Sequence, residues 1–211
     1  MRIVADPVER TSAATDLLLT LAALAGVVRL LLQSPPGQVE TDWAWAFGLL
    51  ALAAALGAGY HGLVLADPRR AVLWQTLTFG LALAIAMVAA GTTRDAMGAA
   101  AAEHARPFLL AAGIAVYAVS RRFPGLFLVF IVFQASVLLY ALAVYAHATL
   151  IASAAGPGFV AAGITLSLTG AVVQARRRFR VKLAWAFDHN GVFHLLQTAG
   201  VILMWVGLGI R

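Results

Sequence analysis

The stretch LFLVFIVFQASVLLYALAVYAHA, residues 126–148, contains no aspartate, glutamate, lysine or arginine. An α-helix needs about 20 predominantly apolar residues to cross the hydrocarbon core of a bilayer, and this stretch is long enough. Over the whole chain of 211 residues, 62% are hydrophobic and 11% are charged, whereas soluble domains carry about 25% charged residues. The chain is therefore predicted to be an integral membrane protein.

Six further apolar runs lie along the chain, at residues 15–33, 43–65, 71–91, 107–120, 157–175 and 188–210. Proline and glycine separate them, because neither residue extends a preceding helix cheaply. Examples are SPPG at 34–37, FPG at 123–125 and GPG at 156–158. The pattern predicts one all-α domain over residues 1–211, a bundle of seven transmembrane helices, of which the fourth is the shortest. Either this helix begins earlier, in the alanine run before Glu103, or it tilts little in a locally thin bilayer.

Arginine and lysine are divided unequally between the two ends of this predicted bundle. The end that holds the N-terminus has eleven: Arg2, Arg10, Arg69, Arg70, Arg121, Arg122, Arg176, Arg177, Arg178, Arg180 and Lys182. The opposite end has four: Arg29, Arg94, Arg106 and Arg211. Because basic loops stay in the cytoplasm, we expect a cytoplasmic N-terminus and an external C-terminus in a bacterial inner membrane. Trp43 and Trp45 are expected at the outer interface and Trp185 at the inner one.

The net charge of +6 and the pI near 10.8 favour anionic lipids over nucleic acid, because the basic residues lie in short loops between apolar runs. Membrane lipids are therefore the expected partners, and no nucleic acid is expected. The chain has no cysteine, which excludes disulfides, thiolate metal ligands and cysteine nucleophiles. The N-terminal residues lack the pattern of a cleavable signal, so the first apolar run is interpreted as a retained helix.

Three histidines are predicted to lie at one depth near the cytoplasmic face. His61 is about one turn before the cytoplasmic end of helix 2, and His189 and His194 are in the first turns of helix 7, which starts on the same side. A single buried histidine is more often a hydrogen-bonded packing residue than a ligand. Three at one level on two helices favour a functional site, because polar groups are costly at membrane depth.

Helix 7 also carries a polar stripe. At 100° per residue, His189, Asn190, His194 and Gln197 span about 140°, so this face meets protein or water and not lipid. Two ligands on one helical face are usually four residues apart, whereas His189 and His194 are five apart. Asn190 is four residues before His194, so the sequence leaves open whether His189 or Asn190 faces the site.

Other polar residues are predicted at the same depth. Asp16 begins helix 1, Asp188 precedes helix 7, and Gln75 lies one turn into helix 3. Three imidazoles leave a zinc ion its full charge, which lowers the pKa of bound water to about 7, and a nearby carboxylate can then accept the proton. The glycines of LGAGYHG around His61 either permit close helix packing or leave room for a metal, water or acyl chain.

This arrangement resembles the CREST superfamily of seven-helix membrane proteins, which includes alkaline ceramidases, progestin and adipoQ receptors and hemolysin III proteins. The family combines Ser-x3-His in helix 2, an aspartate in helix 3 and His-x3-His in helix 7. His61 matches the helix 2 histidine, and His194 matches the last histidine of helix 7. The resemblance implies bound zinc, hydrolysis of a lipid amide, and a cytoplasmic N-terminus as in the receptor and hemolysin branch.

Three positions depart from the family pattern. Gly57 stands where the family has serine, and Gln75 is the polar residue nearest to the helix 3 aspartate. Asn190 stands at the first histidine of the helix 7 pair, with His189 displaced by one residue. These departures alter the expected ligand set and the usual acid–base residue.

The resulting hypothesis is an intramembrane metal-dependent hydrolase that cleaves an amide or ester bond of a lipid-derived substrate near the cytoplasmic face. The predicted ligands of its Zn²⁺ ion are His61, His189 and His194. Asp188 or Asp16 would assist proton transfer, and Gln75 would orient water or the substrate carbonyl. The alternative is a non-enzymatic lipid-binding or sensory membrane protein of the same fold.

Overall fold

The computed structural model describes residues 2–33, 41–152, 155–176, 180–182 and 185–210. These residues form seven α-helices: α1 Pro7–Gln33, α2 Thr41–Gly62, α3 Asp67–Met97, α4 Ala99–Arg122, α5 Phe127–Ala152, α6 Ala155–Ala175 and α7 His189–Leu208. A 3₁₀ turn at Pro124–Leu126 precedes α5, and two antiparallel strands, β1 Arg180–Lys182 and β2 Ala186–Asp188, precede α7. The all-α class is confirmed. The predicted turn at 34–37 and the basic residues Arg177, Arg178 and Arg211 lie outside the described residues.

Six of the described helices are long and apolar enough to cross a membrane, namely α1, α2, α3, α5, α6 and α7. Helix α4 differs because it carries Glu103 and Arg106 in its first half and Arg121 and Arg122 at its end. It is longer than the predicted run at 107–120, since it begins in the preceding alanines and continues through a proline. The architecture is that of a membrane-embedded helical bundle, while a seventh crossing and the orientation stay predictions.

The helices pack in chain order around a ring. Helix α1 contacts α2 and α7, α2 contacts α3, α4 packs on α3 and α5, and α6 lies between α5 and α7. The approach of α6 to α7 depends on glycine, because a Cβ on Gly200 would lie 2.6 Å from the carbonyl oxygen of Gly163. Contacts between small residues are typical of helix pairs in membranes. Ring closure places α1 between α2 and α7.

Two short backbone pairings cover the end of the bundle where α1 and α7 begin and α2 finishes, which we call the N-terminal end. The backbone N–H of Val4 donates to Gly62 at 3.0 Å, and that of Val64 donates to Arg2 at 2.9 Å. The β1–β2 pair also lies at this end and contacts α1 through β2. Strands of three residues are too short to show an alternating pattern, which is why the sequence did not predict them.

The three tryptophans expected at the membrane interfaces differ in environment. Trp45 and Trp185 are 62% and 70% exposed, as an interfacial anchor requires. Trp43 is fully buried, and its Nε1 donates to Asp95 Oδ2 at 3.0 Å, so the prediction that it anchors the interface is wrong. The physical reason is the carboxylate on α3, which satisfies the indole N–H inside the bundle.

Candidate functional site

The first turns of α1 present polar side chains to the interior of the bundle. Asp6 caps the helix, since its Oδ1 accepts a backbone N–H bond at 2.9 Å, and Pro7 suits the first helical position. The helix therefore starts at Pro7, ahead of the predicted start at residue 15. This extension places Glu9, Ser12 and Asp16 at spacings of three and four residues, on one face of the helix.

His61, in the last turn of α2, is oriented by α1. Its Nδ1 lies 2.7 Å from Oε2 of Glu9, at hydrogen-bond distance. The carboxylate accepts this bond, so Nδ1 carries the proton and a neutral imidazole keeps its lone pair on Nε2. Glu9 thereby fixes both the rotation and the tautomer of the ring.

His194, on α7, is buried against the same face of α1. Its Nδ1 lies 3.2 Å from Thr15 Oγ1, and that hydroxyl donates its one proton to the carbonyl of Ser12 at 2.9 Å. The imidazole N–H is therefore the donor to Thr15, and a neutral His194 keeps its lone pair on Nε2. Nε2 lies 3.4 Å from Asp16 Oδ1. Two acceptors thus face each other, an arrangement that is favourable only with a proton or a cation close to both.

The rings of His61 and His194 converge, as the sequence predicted. Their centroids are 6.2 Å apart and their planes are inclined at 65°. We call these two histidines, together with Glu9, Thr15 and Asp16, the histidine cluster. It joins three helices, and 179 positions of sequence separate Thr15 from His194.

The second oxygen of Asp16 has no hydrogen bond. Oδ2 is one of three buried side-chain polar atoms without a partner among the described residues. A Cβ at Gly57 would lie 2.8 Å from this oxygen, so only glycine leaves the carboxylate its place. The resemblance led us to expect serine at position 57. In the structure, the Asp16 carboxylate of α1 occupies the space that a side chain at this position would need.

Asp188 caps α7. Its Oδ1 accepts from the backbone N–H groups of Asn190 at 3.0 Å and Gly191 at 2.9 Å, and from Ser12 Oγ at 3.2 Å. An acidic N-cap stabilises the start of a helix, and the bond to Ser12 ties that start to α1. The proton-transfer role predicted for Asp188 competes with four hydrogen bonds that it already accepts, three on Oδ1 and one from the Asn190 side chain on Oδ2.

The other predicted site residues make no hydrogen bond, ion pair or ring contact with the two histidines in the described part of the chain. His189 Nδ1 lies 3.6 Å from Asp188 Oδ2. The Asn190 side chain donates to Asp188 and accepts from a glutamine of α6, both at 3.4 Å. Gln75 is half-buried on α3. Neither His189 nor Asn190, the two alternatives on helix 7, is brought to His194.

Sequence reasoning missed Glu9, Thr15 and Ser12. A usable signal was present in ADPVE at 5–9, where an aspartate precedes a proline that suits the first helical position. Extending the helix to this start would have put Glu9 on the face of Asp16. The apolar run alone marked only the segment that suits the bilayer core.

The donor types of the histidine cluster fit zinc, and one pair has ligand spacing. Two ligands about 2.1 Å from a tetrahedral zinc ion are about 3.4 Å apart, which is the separation of His194 Nε2 and Asp16 Oδ1. Two imidazoles on such an ion have centroids about 5 Å apart, closer than those of His61 and His194 at 6.2 Å. As they stand, the described residues include no group of three or more His, Asp or Glu side chains that could hold a metal ion.

A second buried polar group lies at the opposite end of the bundle. Asp42, at the start of α2, accepts from Arg94 Nε through Oδ2 and from Arg106 Nε through Oδ1, each at 2.7 Å. We call these three residues the paired cluster. They lie near the contact of Trp43 with Asp95. The single negative charge of Asp42 offsets part of the positive charge of Arg94 and Arg106.

Comparison with known proteins places the chain in a family. The sequence model of a family of unknown function, DUF6962, matches residues 11–210. The chain belongs to DUF6962. The DUF6962 match runs from α1 to the end of α7 and includes Thr15, Asp16, His61 and His194, whereas Glu9 lies just before it. No curated protein and no solved structure matches the chain. Membership of DUF6962 does not assign an activity to the chain. The resemblance to the CREST superfamily stays a prediction.

Proposed function

We propose that this protein is a membrane hydrolase that cleaves an amide or ester bond of a lipid-derived substrate at the histidine cluster. One observation carries the proposal. His194 Nε2 lies 3.4 Å from Asp16 Oδ1, while Asp16 Oδ2 is buried without a hydrogen bond. Such a group of acceptors requires positive charge, and a site that binds a cation or moves a proton supplies it.

Zinc is the proposed cofactor because the donors are two imidazoles and a carboxylate. His61, His194 and Asp16 would hold it, and the second ring nitrogens of the histidines are already engaged by Glu9 and Thr15. Hydrogen bonds of that kind orient histidine ligands in known zinc sites. When bound, zinc supplies Lewis acidity that makes a nearby water molecule a stronger acid.

Hydrolysis of an acyl bond needs a group that takes a proton from water and a group that returns it to the leaving alcohol or amine. Asp16 Oδ2 is suited to the first task, since no hydrogen bond occupies it. The same oxygen, once protonated, is suited to the second. Gly57 lets the Asp16 carboxylate pack directly against α2, since a Cβ there would lie 2.8 Å from Oδ2.

The proposed substrate is lipid-derived because the cluster lies within helices that suit a bilayer. Helices α1, α2 and α7, which carry the cluster, are all long and apolar enough to cross a membrane. The charge bias favours the cytoplasmic side for the N-terminal end, so the proposed site lies near the inner leaflet. A bacterial inner membrane is the proposed location.

Metal content and hydrolysis measured on one set of variants test the proposal. Purified protein in detergent would be analysed for zinc and assayed with a long-chain acyl ester and a long-chain N-acyl amide. We expect His61→Ala, His194→Ala and Asp16→Asn to lose both zinc and turnover. His104→Ala and His147→Ala are matched controls, because both histidines are exposed and remote from the cluster, and they should behave as wild type. If the wild-type protein contained no zinc and hydrolysed neither substrate, the hydrolase proposal would be wrong.

The alternative, a non-enzymatic lipid-binding or sensory protein, is favoured by one observation. Asn190 and His189 interact with Asp188 and leave His194 without a third imidazole. This alternative predicts that lipid copurifies with the protein without being hydrolysed. It also predicts that His194→Ala changes lipid binding, and that neither the wild type nor this variant hydrolyses lipid.

A further inference from the structure

A groove of about 720 Å³ opens beside the histidine cluster, between α1, β2 and α7. Six residues of α1 line it, from Pro7 to Leu18, and Leu195 of α7 faces them. Thr15 belongs both to this lining and to the cluster, where it contacts His194 Nδ1 at 3.2 Å. The volume is in the range of ligand sites, and Thr15 is the residue through which the groove borders the His194 imidazole.

Polarity changes along the groove in one direction. Arg10 and Thr11 lie near the start of α1, and Leu18 lies about 12 Å further along the helix axis on the same face. Leu18 and Leu195 are exposed in the apolar part, and Trp185 is exposed beside it. A cation near the start of the helix and aliphatic side chains further along it follow the order in which a membrane interface is crossed.

The charge of the groove favours an anionic group. Its described lining contains Arg10 and no acidic residue. None of the ion pairs among the described residues involves the Arg10 guanidinium. A headgroup with a phosphate would meet unpaired positive charge there.

We propose that the groove binds an anionic phospholipid, with its headgroup at Arg10 and an acyl chain along Leu18 and Leu195. The acyl linkage would then lie near Thr15, next to His194, so anionic acyl lipids are the substrate class of the histidine cluster. The binding part of this inference stands on the groove alone. The substrate part rests on the proposed function.

Lipid binding can be measured without turnover, by native mass spectrometry and by thermal unfolding of the full chain in a neutral detergent. Phosphatidylglycerol would be compared with phosphatidylcholine of the same acyl chains and with inorganic phosphate. We expect phosphatidylglycerol to bind more tightly than phosphatidylcholine and to raise the melting temperature. Arg10→Gln should weaken that binding about fivefold, Arg10→Lys should restore most of it, and Arg69→Gln, outside the groove, should leave it unchanged.

The outcomes separate the two parts of the inference. Equal binding of both lipids, equal effects of Arg10→Gln and Arg69→Gln, or stabilisation by inorganic phosphate alone would overturn the lipid groove. Selective binding that depends on Arg10, together with intact lipid after long incubation, would support the groove and remove the hydrolase. Selective binding together with faster release of fatty acid from phosphatidylglycerol than from phosphatidylcholine would support both.

Discussion

Two buried aspartates lie at opposite ends of the bundle, and they differ in how their oxygens are satisfied. Asp42 pairs each oxygen with an arginine Nε at 2.7 Å. Asp16 has one oxygen 3.4 Å from His194 Nε2 and the other without a hydrogen bond. A buried charge is stable only where neighbours balance it and complete its hydrogen bonds. The chain itself completes the paired cluster, whereas the histidine cluster is left incomplete.

The difference between these clusters separates a structural from a functional role. At the paired cluster, Asp42 joins α2 to α3 and α4 and leaves no oxygen for a ligand. At the histidine cluster, an apolar residue in place of Asp16 would remove an unsatisfied buried oxygen. Asp16 therefore lowers the stability of the fold, which indicates that its carboxylate is kept for a function and not for packing.

The largest effect is expected when the paired cluster is broken. Asp42→Asn removes the one negative charge that binds both Arg94 and Arg106, so two half-buried guanidinium groups lose this carboxylate. We expect a loss of about 3 kcal/mol in the free energy of unfolding. Thermal and denaturant unfolding in detergent would measure it. Asp67→Asn, at an exposed acid of α3, is the matched control and should change stability little. An unchanged melting temperature for Asp42→Asn would remove the structural role.

A smaller loss of stability is expected from a methyl group beside Asp16. The Cβ of Gly57→Ala would lie 2.8 Å from Asp16 Oδ2, which must move at a cost of about 2 kcal/mol. Gly59→Ala is the control, because its Cβ would be 3.7 Å from the nearest side-chain atom, on Leu73, an ordinary contact. The loss should largely disappear in an Asp16→Ala background. Equal effects of Gly57→Ala in both backgrounds would show that the carboxylate is not what the glycine accommodates.

Much of the fold could be predicted from the sequence, because apolar runs and their breakers depend on local composition. The run at 126–148 corresponds to α5, at Phe127–Ala152, except for its first residue, which lies in the preceding 3₁₀ turn. The outward extension of α1 to Pro7 was missed, whereas the start of α4 in the alanines before Glu103 was one of two alternatives that the sequence left open. Hydropathy marks the part of a helix that suits lipid, whereas caps and ion pairs decide where the helix ends.

The site could be predicted in part. The depth of His61 and His194 followed from helix length, and the rings do meet. The sequence could not show that Glu9 pairs with His61 or that Asp16 lies beside His194. These contacts depend on which face of α1 turns inward and how closely α1 approaches α2. Glycine at position 57 permits that approach, and its meaning becomes visible only beside Asp16.

A gain in stability is expected when the incomplete cluster is neutralised. Asp16→Asn replaces a carboxylate that lacks a hydrogen bond on Oδ2 by an amide that can donate to the lone pair of His194 Nε2. We expect unfolding in the absence of metal to require about 1 kcal/mol more. The same substitution at Asp42 should have the opposite sign, which makes the two aspartates a matched pair. A loss of stability for both variants in the absence of metal would contradict the distinction between the clusters.

The smallest effect is expected at His189, which the sequence placed among the metal ligands. Its ring lies 3.6 Å from the N-cap Asp188 and makes no contact with His61 or His194 among the described residues. His189→Ala should therefore change the free energy of unfolding by less than about 0.5 kcal/mol. It should also lower the zinc content far less than His194→Ala, as measured on protein purified in parallel. A zinc loss equal to that of His194→Ala would show that α7 turns His189 towards the cluster when metal binds, and the ligand set would then be three imidazoles.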